Sequence, residues 1–109
     1  MKKYESVIII NPKLEGKEIK DTIEKYKNMM NEFSNKKVTV EDLGERKLAY
    51  EIRKNNTGYY AVFNFYSEPN NISELERNYR IDDNVIKFII MRQDELEYDE
   101  SEEEDEEEY

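Results

Sequence analysis

The sequence lacks several residue types on which common kinds of chemistry depend. It contains no cysteine and no histidine among its 109 residues. This excludes disulfides, thiolate nucleophiles and the side chain that proteins use most often as a general base or metal ligand. Glycine occurs singly, at Gly16, Gly44 and Gly58, so no glycine-rich phosphate-binding loop is present. We therefore expect a protein without catalysis, cofactor or bound metal.

Long hydrophobic runs are also missing. The aliphatic run Val7–Ile10 is four residues long, far below the ~20 residues of a membrane-spanning helix. The amino-terminal sequence Met-Lys-Lys-Tyr-Glu-Ser lacks the apolar region of a secretory signal peptide. We expect a soluble, cytoplasmic protein.

Positive charge is absent from one part of the chain. Residues 94–109 hold twelve aspartate or glutamate side chains and no lysine or arginine, while the whole chain has a net charge of −10. Residues 1–93 therefore carry 15 acidic and 17 basic side chains, a net charge of +2. Twelve like charges with few apolar residues cannot bury enough surface to offset the entropy of ordering. The sequence predicts a folded domain over 1–93 and a disordered acidic tail over 94–109.

Two segments of the domain show the spacing of amphipathic helices. From Ile19 to Phe33, apolar residues are separated alternately by four and three positions, which places them on one face of a helix. A second, shorter helix is predicted around Leu75, with Asn70 or Asn71 as its amino-terminal cap.

Runs of β-branched and aromatic residues predict four strands, at 4–10, 38–52, 59–66 and 85–91. The polar segment Asn55–Gly58 is expected to be the turn of a long hairpin, and Gly44 is expected to be a bulge. The element order predicts an α+β ferredoxin-like sandwich, β-α-β-β-α-β, with a four-stranded antiparallel sheet and both helices on one face. The first and third strands should be central, because both are apolar on two faces.

The same element order occurs in acylphosphatases and in the RNA recognition motif, but the residues fit neither. After the first strand, the segment 11–14 has no glycine run and no arginine to hold a phosphate. The third strand has Thr57, Ala61 and Asn64 where the RNA recognition motif needs a basic residue and two stacking aromatics. RNA binding would have to use phosphates and shape, through basic residues at the edges and ends of the sheet.

Basic residues suitable for phosphate contacts occur on three of the predicted strands. The candidate RNA-binding residues are Lys2 and Lys3 on the first strand, Arg46, Lys47, Arg53 and Lys54 on the second, and Lys87 and Arg92 on the fourth. We call the second-strand group, Arg46, Lys47, Arg53 and Lys54, the basic ribbon. Charged side chains on an edge strand also prevent pairing with a second copy, and spacing alone does not separate the two roles.

One face of the predicted sheet has no helix above it. If Tyr59, Ala61, Phe63 and Phe65 pack against the helices, alternation places the intervening residues on this open face. The candidate partner-docking residues are Tyr60, Val62, Asn64 and Tyr66. Aromatic and aliphatic side chains on an open face suit a protein interface, although ordinary half-buried packing produces the same pattern.

The segment 44–53 carries a specific resemblance. It reads Gly-Glu-Arg-Lys-Leu-Ala-Tyr-Glu-Ile-Arg and resembles the signature of bacterial small-subunit ribosomal protein six at every constrained position. The signature residues are Gly44, Arg46, Leu48, Ala49, Tyr50 and Ile52. The resemblance extends over almost all of 1–93 and includes Asn11-Pro12, Gly58-Tyr59-Tyr60 and Asp83-Asn84-Val85.

The resemblance implies a non-catalytic protein of the small ribosomal subunit, without cofactor. Members of this family pair with ribosomal protein eighteen, and the pair binds small-subunit ribosomal RNA in the platform. The basic ribbon would then face the ribosome, with Leu48, Tyr50 and Ile52 holding its strand in place. The alternation of Leu48, Tyr50 and Ile52 with polar residues predicts that the Tyr50 ring is buried. The alternative is a free-standing regulatory module of the same fold that binds RNA or protein. The tail would either be a passive solubilising segment or cover the ribbon in the free protein.

Overall fold

The computed structural model describes residues 1–93, so the predicted disorder of the tail lies outside the described residues. The elements are β1 (Lys2–Ile10), α1 (Gly16–Phe33), β2 (Thr39–Ile52), β3 (Asn55–Ser67), α2 (Asn70–Ile81) and β4 (Val85–Arg92). The predicted order of strands and helices is confirmed.

The four strands form one sheet in the order β2-β3-β1-β4. All three pairings are antiparallel, and β1 lies between β3 and β4. Central positions for β1 and β3 explain why both strands are apolar on their two faces. The ferredoxin-like sandwich predicted from the sequence is confirmed.

Both helices pack on the same face of the sheet and enclose the main core. The apolar stripe of α1 meets alternate residues of β1 and β3. The buried residues of this core include Ile8, Ile10, Ile19, Ile23, Tyr26, Met30, Ala61, Phe63, Phe65, Leu75 and Tyr79. Two buried hydroxyls satisfy each other there, since Ser6 Oγ and Tyr79 OH lie 2.7 Å apart. Burial raises the pKa of Tyr79, so its hydroxyl stays protonated at physiological pH.

A polar contact joins α1 to the connection between α2 and β4. The Tyr26 hydroxyl donates to Asp82 Oδ2 at 2.6 Å, and the Asn84 backbone N–H donates to Asp82 Oδ1 at 2.9 Å. Burial opposes the charge on Asp82, but these bonds and the Lys25 ammonium, 3.3 Å away, outweigh it and hold the pKa of the carboxyl below its usual value. The contact fixes the start of β4 against the first helix.

The turn of the β2–β3 hairpin differs from the prediction. Ile52 pairs with Asn55, so the turn consists of Arg53 and Lys54, with φ angles of 50° and 65°. Two successive left-handed residues give the twist that a two-residue hairpin requires. The predicted turn at Asn55–Gly58 is therefore wrong, because these residues form the first part of β3.

Two further local predictions had different outcomes. The bulge at Gly44 is confirmed, since its φ is 82° and the β2–β3 register shifts between Asp42 and Gly44. The cap of α2 is not an asparagine. Pro69, with φ fixed near the helical value, occupies the cap position and begins the helix earlier, which places Asn70 and Asn71 in its first turn.

Among the helices within residues 1–93, none is long and apolar enough to cross a membrane.

Candidate functional site

The β2–β3 hairpin extends beyond the end of β1. Pairing between β1 and β3 ends at Ile10 and Tyr59, whereas β2 and β3 continue to pair as far as the turn. The extension packs on the open face of the sheet through a small second cluster, in which buried Leu48 joins Ile9 and Ile86. The signature segment is therefore anchored on the face without helices.

Gly58 permits this close approach of the hairpin to β1. A Cβ atom at this position would collide with Cγ2 of Ile9 and would lie 3.3 Å from Cδ2 of Leu48. The glycine is needed here for its lack of a side chain. Any larger residue would push the hairpin away from the sheet.

The four residues of the basic ribbon are all exposed along this hairpin and its turn. Arg46 and Lys47 pair with Gly58 and Thr57, and both side chains are exposed. Arg53 and Lys54, predicted to lie on the second strand, instead form the turn. Arg53 Nη1 donates to the Asp83 carbonyl at 3.5 Å, which brings the tip of the hairpin to the start of β4.

The structure contradicts the predicted burial of Tyr50. Its side chain is 61% exposed, because β2 here lies beyond the end of β1 and only Leu48 and Ile52 pack on the small cluster. The Tyr50 hydroxyl accepts a hydrogen bond of 2.7 Å from Lys87 Nζ, and this ammonium lies 5.1 Å from the ring centroid. Tyr50 thus joins the hairpin to Lys87 of β4 on the surface.

The candidate RNA-binding residues form two groups at opposite ends of the sheet. The hairpin group contains Arg46, Lys47, Arg53, Lys54 and Lys87. The far-end group contains Lys2, Lys3 and Arg92, since Lys3 pairs with Tyr66, and Arg92 with Tyr4. Lys3 and Ile9 are six positions apart along β1, which corresponds to about 20 Å. The eight candidates therefore cannot form one continuous phosphate-binding patch.

Acidic side chains on β2 are held by hydrogen bonds to β3. The Tyr59 hydroxyl donates to Asp42 Oδ1 at 2.5 Å, and Thr57 Oγ1 donates to Glu45 Oε2 at 2.6 Å. The bond to Asp42, together with partial burial, raises the pKa of Tyr59. These carboxylates turn toward β3, and the exposed charges between Glu45 and the turn are those of Arg46, Lys47 and Glu51.

The predicted partner-docking residues lie on the open face, as alternation required. The register places Tyr60, Val62, Asn64 and Tyr66 beside Ile9, Val7, Glu5 and Lys3 of β1. Val62 is only 7% exposed, and Tyr60 packs against the small cluster. The accessible apolar surface is on β4 instead.

Ile89 and Met91 supply that surface, and the sequence interpretation missed them. They are 49% and 39% exposed, and they pair with Val7 and Glu5 on the open face. The available signal was the alternation in β4, where Phe88 and Ile90 pack against the main core. The alternate residues, Ile89 and Met91, point to the open face and are apolar, although β4 is an edge strand.

Sequence comparisons place the chain among ribosomal proteins. The family model for ribosomal protein S6 matches residues 3–92. The small ribosomal subunit protein bS6 of Caldanaerobacter subterraneus subsp. tengcongensis is 42% identical over 94 residues, which cover 86% of this chain and 99% of that protein. The bS6 protein of Helicobacter acinonychis is 45% identical over 94 residues, and the chain spans about two thirds of its length, 66%.

A solved structure agrees in both fold and sequence. The crystal structure of 30S ribosomal protein S6 from Thermotoga maritima has a TM-score of 0.80 and 36% identity, with 87% of this chain and 90% of that chain covered. These relatives are structural proteins of the small ribosomal subunit in the bacterial cytoplasm and not enzymes, which confirms the predicted non-catalytic role and location. By a family model that covers almost all of the described residues, the chain belongs to the ribosomal protein S6 family.

Proposed function

We propose that this chain binds small-subunit ribosomal RNA jointly with ribosomal protein eighteen, and so supports assembly of the platform of the small subunit. Membership of the family implies ribosomal RNA and ribosomal proteins as partners. The observation that carries the finer proposal is the hairpin, where exposed cations border the exposed ring of Tyr50 beside an open sheet face.

The hairpin side suits the phosphate backbone of RNA. The ribbon residues are exposed, and Lys87 adds a fifth cation beside Tyr50. Lysine and arginine neutralise phosphates and release counterions, and such contacts give affinity and orientation without reading sequence. No row of stacking aromatics accompanies them, since the open-face residues of β3 include Val62 and Asn64. Shape and charge would therefore determine this contact.

The open face suits a protein partner. Ile89 and Met91 form an exposed apolar strip on β4, and the half-buried Tyr60 and Tyr66 lie across β1 from it. Interfaces have apolar, aromatic-rich centres with charges at the rim, and this face has Lys87 and Lys3 at its two ends. A partner seated here would adjoin the hairpin, so the two proteins would offer RNA one shared surface.

The net charge of the domain explains why two proteins would be needed. A charge of +2 over residues 1–93 allows few net phosphate contacts, because each contact must outweigh nearby carboxylates. We therefore expect the chain alone to bind ribosomal RNA weakly, and to bind tightly when the partner supplies further contacts.

Charge reversal at the ribbon tests the RNA contact. The double variant Arg46→Glu/Lys47→Glu should enter 30S particles poorly in a sedimentation assay, while its melting temperature stays within a few degrees of the parent. Loss of about two phosphate contacts should also reduce the salt dependence of RNA binding by the protein pair by about 1 to 2 units of slope.

The matched control is Lys17→Glu/Lys20→Glu on the exposed surface of α1, which makes the same change in net charge. It should assemble normally. Equal loss in both variants would show that overall charge, and not the hairpin, governs assembly. Normal assembly of the ribbon variant would refute the assignment.

Substitution on the open face tests the protein contact separately. Ile89→Glu should weaken binding to purified ribosomal protein eighteen in the absence of RNA, because it puts a charge at the centre of the apolar strip. Ile81→Glu, at a site 70% exposed on α2, is the control and should bind normally. Unchanged binding by Ile89→Glu would place the partner elsewhere.

A further inference from the structure

The end of the sheet remote from the hairpin carries two lysines around one aromatic ring. Lys3 of β1 pairs directly with Tyr66 of β3, so both side chains lie on the open face. The ammonium of Lys36, which follows α1, lies 5.3 Å from the centroid of the Tyr66 ring. We call Lys3, Tyr66 and Lys36 the lysine–tyrosine row.

The positive charge of this row is not neutralised by the domain. None of the ion pairs within residues 1–93 involves Lys3, Lys36 or the neighbouring Lys37. Two carboxylates at this end of the sheet have other partners, since Glu5 accepts a hydrogen bond from Gln93 and Glu68 contacts the amino terminus. An anionic group would therefore find unpaired ammonium groups beside an aromatic ring.

The described part of the chain ends beside this row. Arg92 pairs with Tyr4, and Gln93 Nε2 donates to Glu5 Oε1 at 2.8 Å. Gln93 thus lies next to the β1 position that holds Lys3. The following residues, 94–109, contain twelve carboxylates and no basic side chain.

We propose that the acidic segment 94–109 binds in cis to the lysine–tyrosine row. Its carboxylates would contact the ammonium groups of Lys3 and Lys36, with Lys37 adjoining. The proposal does not depend on ribosomal protein eighteen. It assigns the tail to this row and not to the basic ribbon, the surface that charge alone suggested.

Distance favours the row over the ribbon. Neighbouring strands are about 4.8 Å apart, so Lys3 on β1 lies about 5 Å, and Tyr66 on β3 about 10 Å, from the end of β4, and three or four extended residues span that distance. Arg46 pairs with Gly58, beyond the end of β1, which places the ribbon about 30 Å from Gln93. The row is therefore within reach of the first three or four residues after Gln93, whereas the ribbon can be reached only by residues about nine or more positions further along, so fewer of the twelve carboxylates could contact it.

Binding at the row would divide the open face into two parts. The tail would cover Tyr66 and the cations at its end of the sheet, so that polyanions could not bind there. The hairpin, with Arg46 and Lys47, would remain accessible. A partner that seats on the whole open face would first have to displace the tail.

The absence of cysteine allows a direct test on the full chain. A single Ser101→Cys substitution carries a nitroxide spin label, and paramagnetic broadening is measured on the backbone amides of residues 1–93 by NMR. At low salt we expect broadening at Lys3, Lys36, Lys37 and Tyr66 that exceeds any broadening at 46–54. In about 1 M salt, where the screening length falls to about 3 Å, this broadening should be lost.

Two double variants of the labelled chain complete the test. Lys3→Glu/Lys36→Glu should lose the broadening at the row, whereas Arg46→Glu/Lys47→Glu should retain it. Broadening that is strongest at the hairpin, that persists in the Lys3→Glu/Lys36→Glu chain, or that is insensitive to salt would overturn the proposal. None of these outcomes bears on binding to ribosomal RNA or to ribosomal protein eighteen.

Discussion

The two faces of the sheet hold their residues in place by different means. On the helix-covered face, β1 and β3 pack against two helices in a large core with a fully satisfied buried hydroxyl pair. On the open face, Ile9, Leu48 and Ile86 form a small buried cluster, and the sheet's own hairpin covers it. Stability is therefore concentrated on one face, and the other is left available for contacts with partners.

The largest expected effect compares two neighbouring aromatic residues of β3. Phe65 is completely buried under the helices, and Tyr66 is half-buried on the open face. Phe65→Ala should lower the free energy of unfolding by about 3 to 5 kcal/mol, measured by urea denaturation. Tyr66→Ala should lower it by less than about 1 kcal/mol. Similar losses in the two variants would contradict the contrast between the faces.

The small cluster should respond at an intermediate level. Leu48→Ala removes the side chain that holds the hairpin on Ile9 and Ile86, and it should destabilise by about 2 to 3 kcal/mol. Hydrogen exchange should accelerate mainly at the amides of 46–58, because the main core stays intact. Uniform acceleration across β1 and β4 would show that the cluster is energetically part of the main core.

The hydrogen bond between Tyr26 of α1 and Asp82 should have a smaller effect on the free energy of unfolding, and this effect should depend on pH. Tyr26→Phe removes one hydrogen bond to the Asp82 carboxylate and should cost about 1 to 2 kcal/mol at pH 7. The folded-state pKa of Asp82 is below its ordinary value of 3.8. The stabilisation is therefore complete above that value and is lost as the pH falls through the folded pKa.

The measurement is thermal unfolding of the parent and of Asp82→Asn between pH 7 and pH 2. The difference between the two proteins should be constant down to about pH 4 and then shrink. A difference that grows in acid would mean that the carboxyl is destabilising in its charged form.

The smallest effect is expected at Tyr50. Because its side chain is largely exposed, Tyr50→Ala should change the free energy of unfolding by less than about 0.5 kcal/mol. The variant also frees Lys87 from its hydrogen bond, so RNA binding is the more sensitive readout. A destabilisation as large as that of Leu48→Ala would restore the buried position that the sequence suggested.

The sequence predicted those parts of the fold that periodicity determines. The stripe from Ile19 to Met30 and the alternation around Phe63 both follow from which side chains the core must enclose. Tyr50 follows the same alternation as Leu48, but alternation reveals only the side to which a residue points. Whether another element lies beneath it depends on where β1 ends, which is a property of the tertiary structure.

The hairpin turn was missed for a related reason. Gly58 and its polar neighbours are typical of a turn, yet Gly58 is required by the close approach of Ile9. Arg53 and Lys54 adopt the left-handed conformation although neither residue type favours it. The grouping of the basic residues was equally hidden, because Lys87 and Arg92 share one strand but lie at opposite ends of the sheet.

The position of β1 in the sheet has a consequence for synthesis of the chain. β1 is made first, but its neighbours are β3 and β4, so its partners are residues 59–67 and 85–92. At 5 to 20 residues per second, roughly 4 to 16 s pass between the completion of β1 and that of its last partner. Until β3 is complete, at Ser67, the aliphatic segment Val7–Ile10 has no strand to pair with. The nascent protein therefore depends on α1, the first element to follow β1, to cover that segment until β3 has been made.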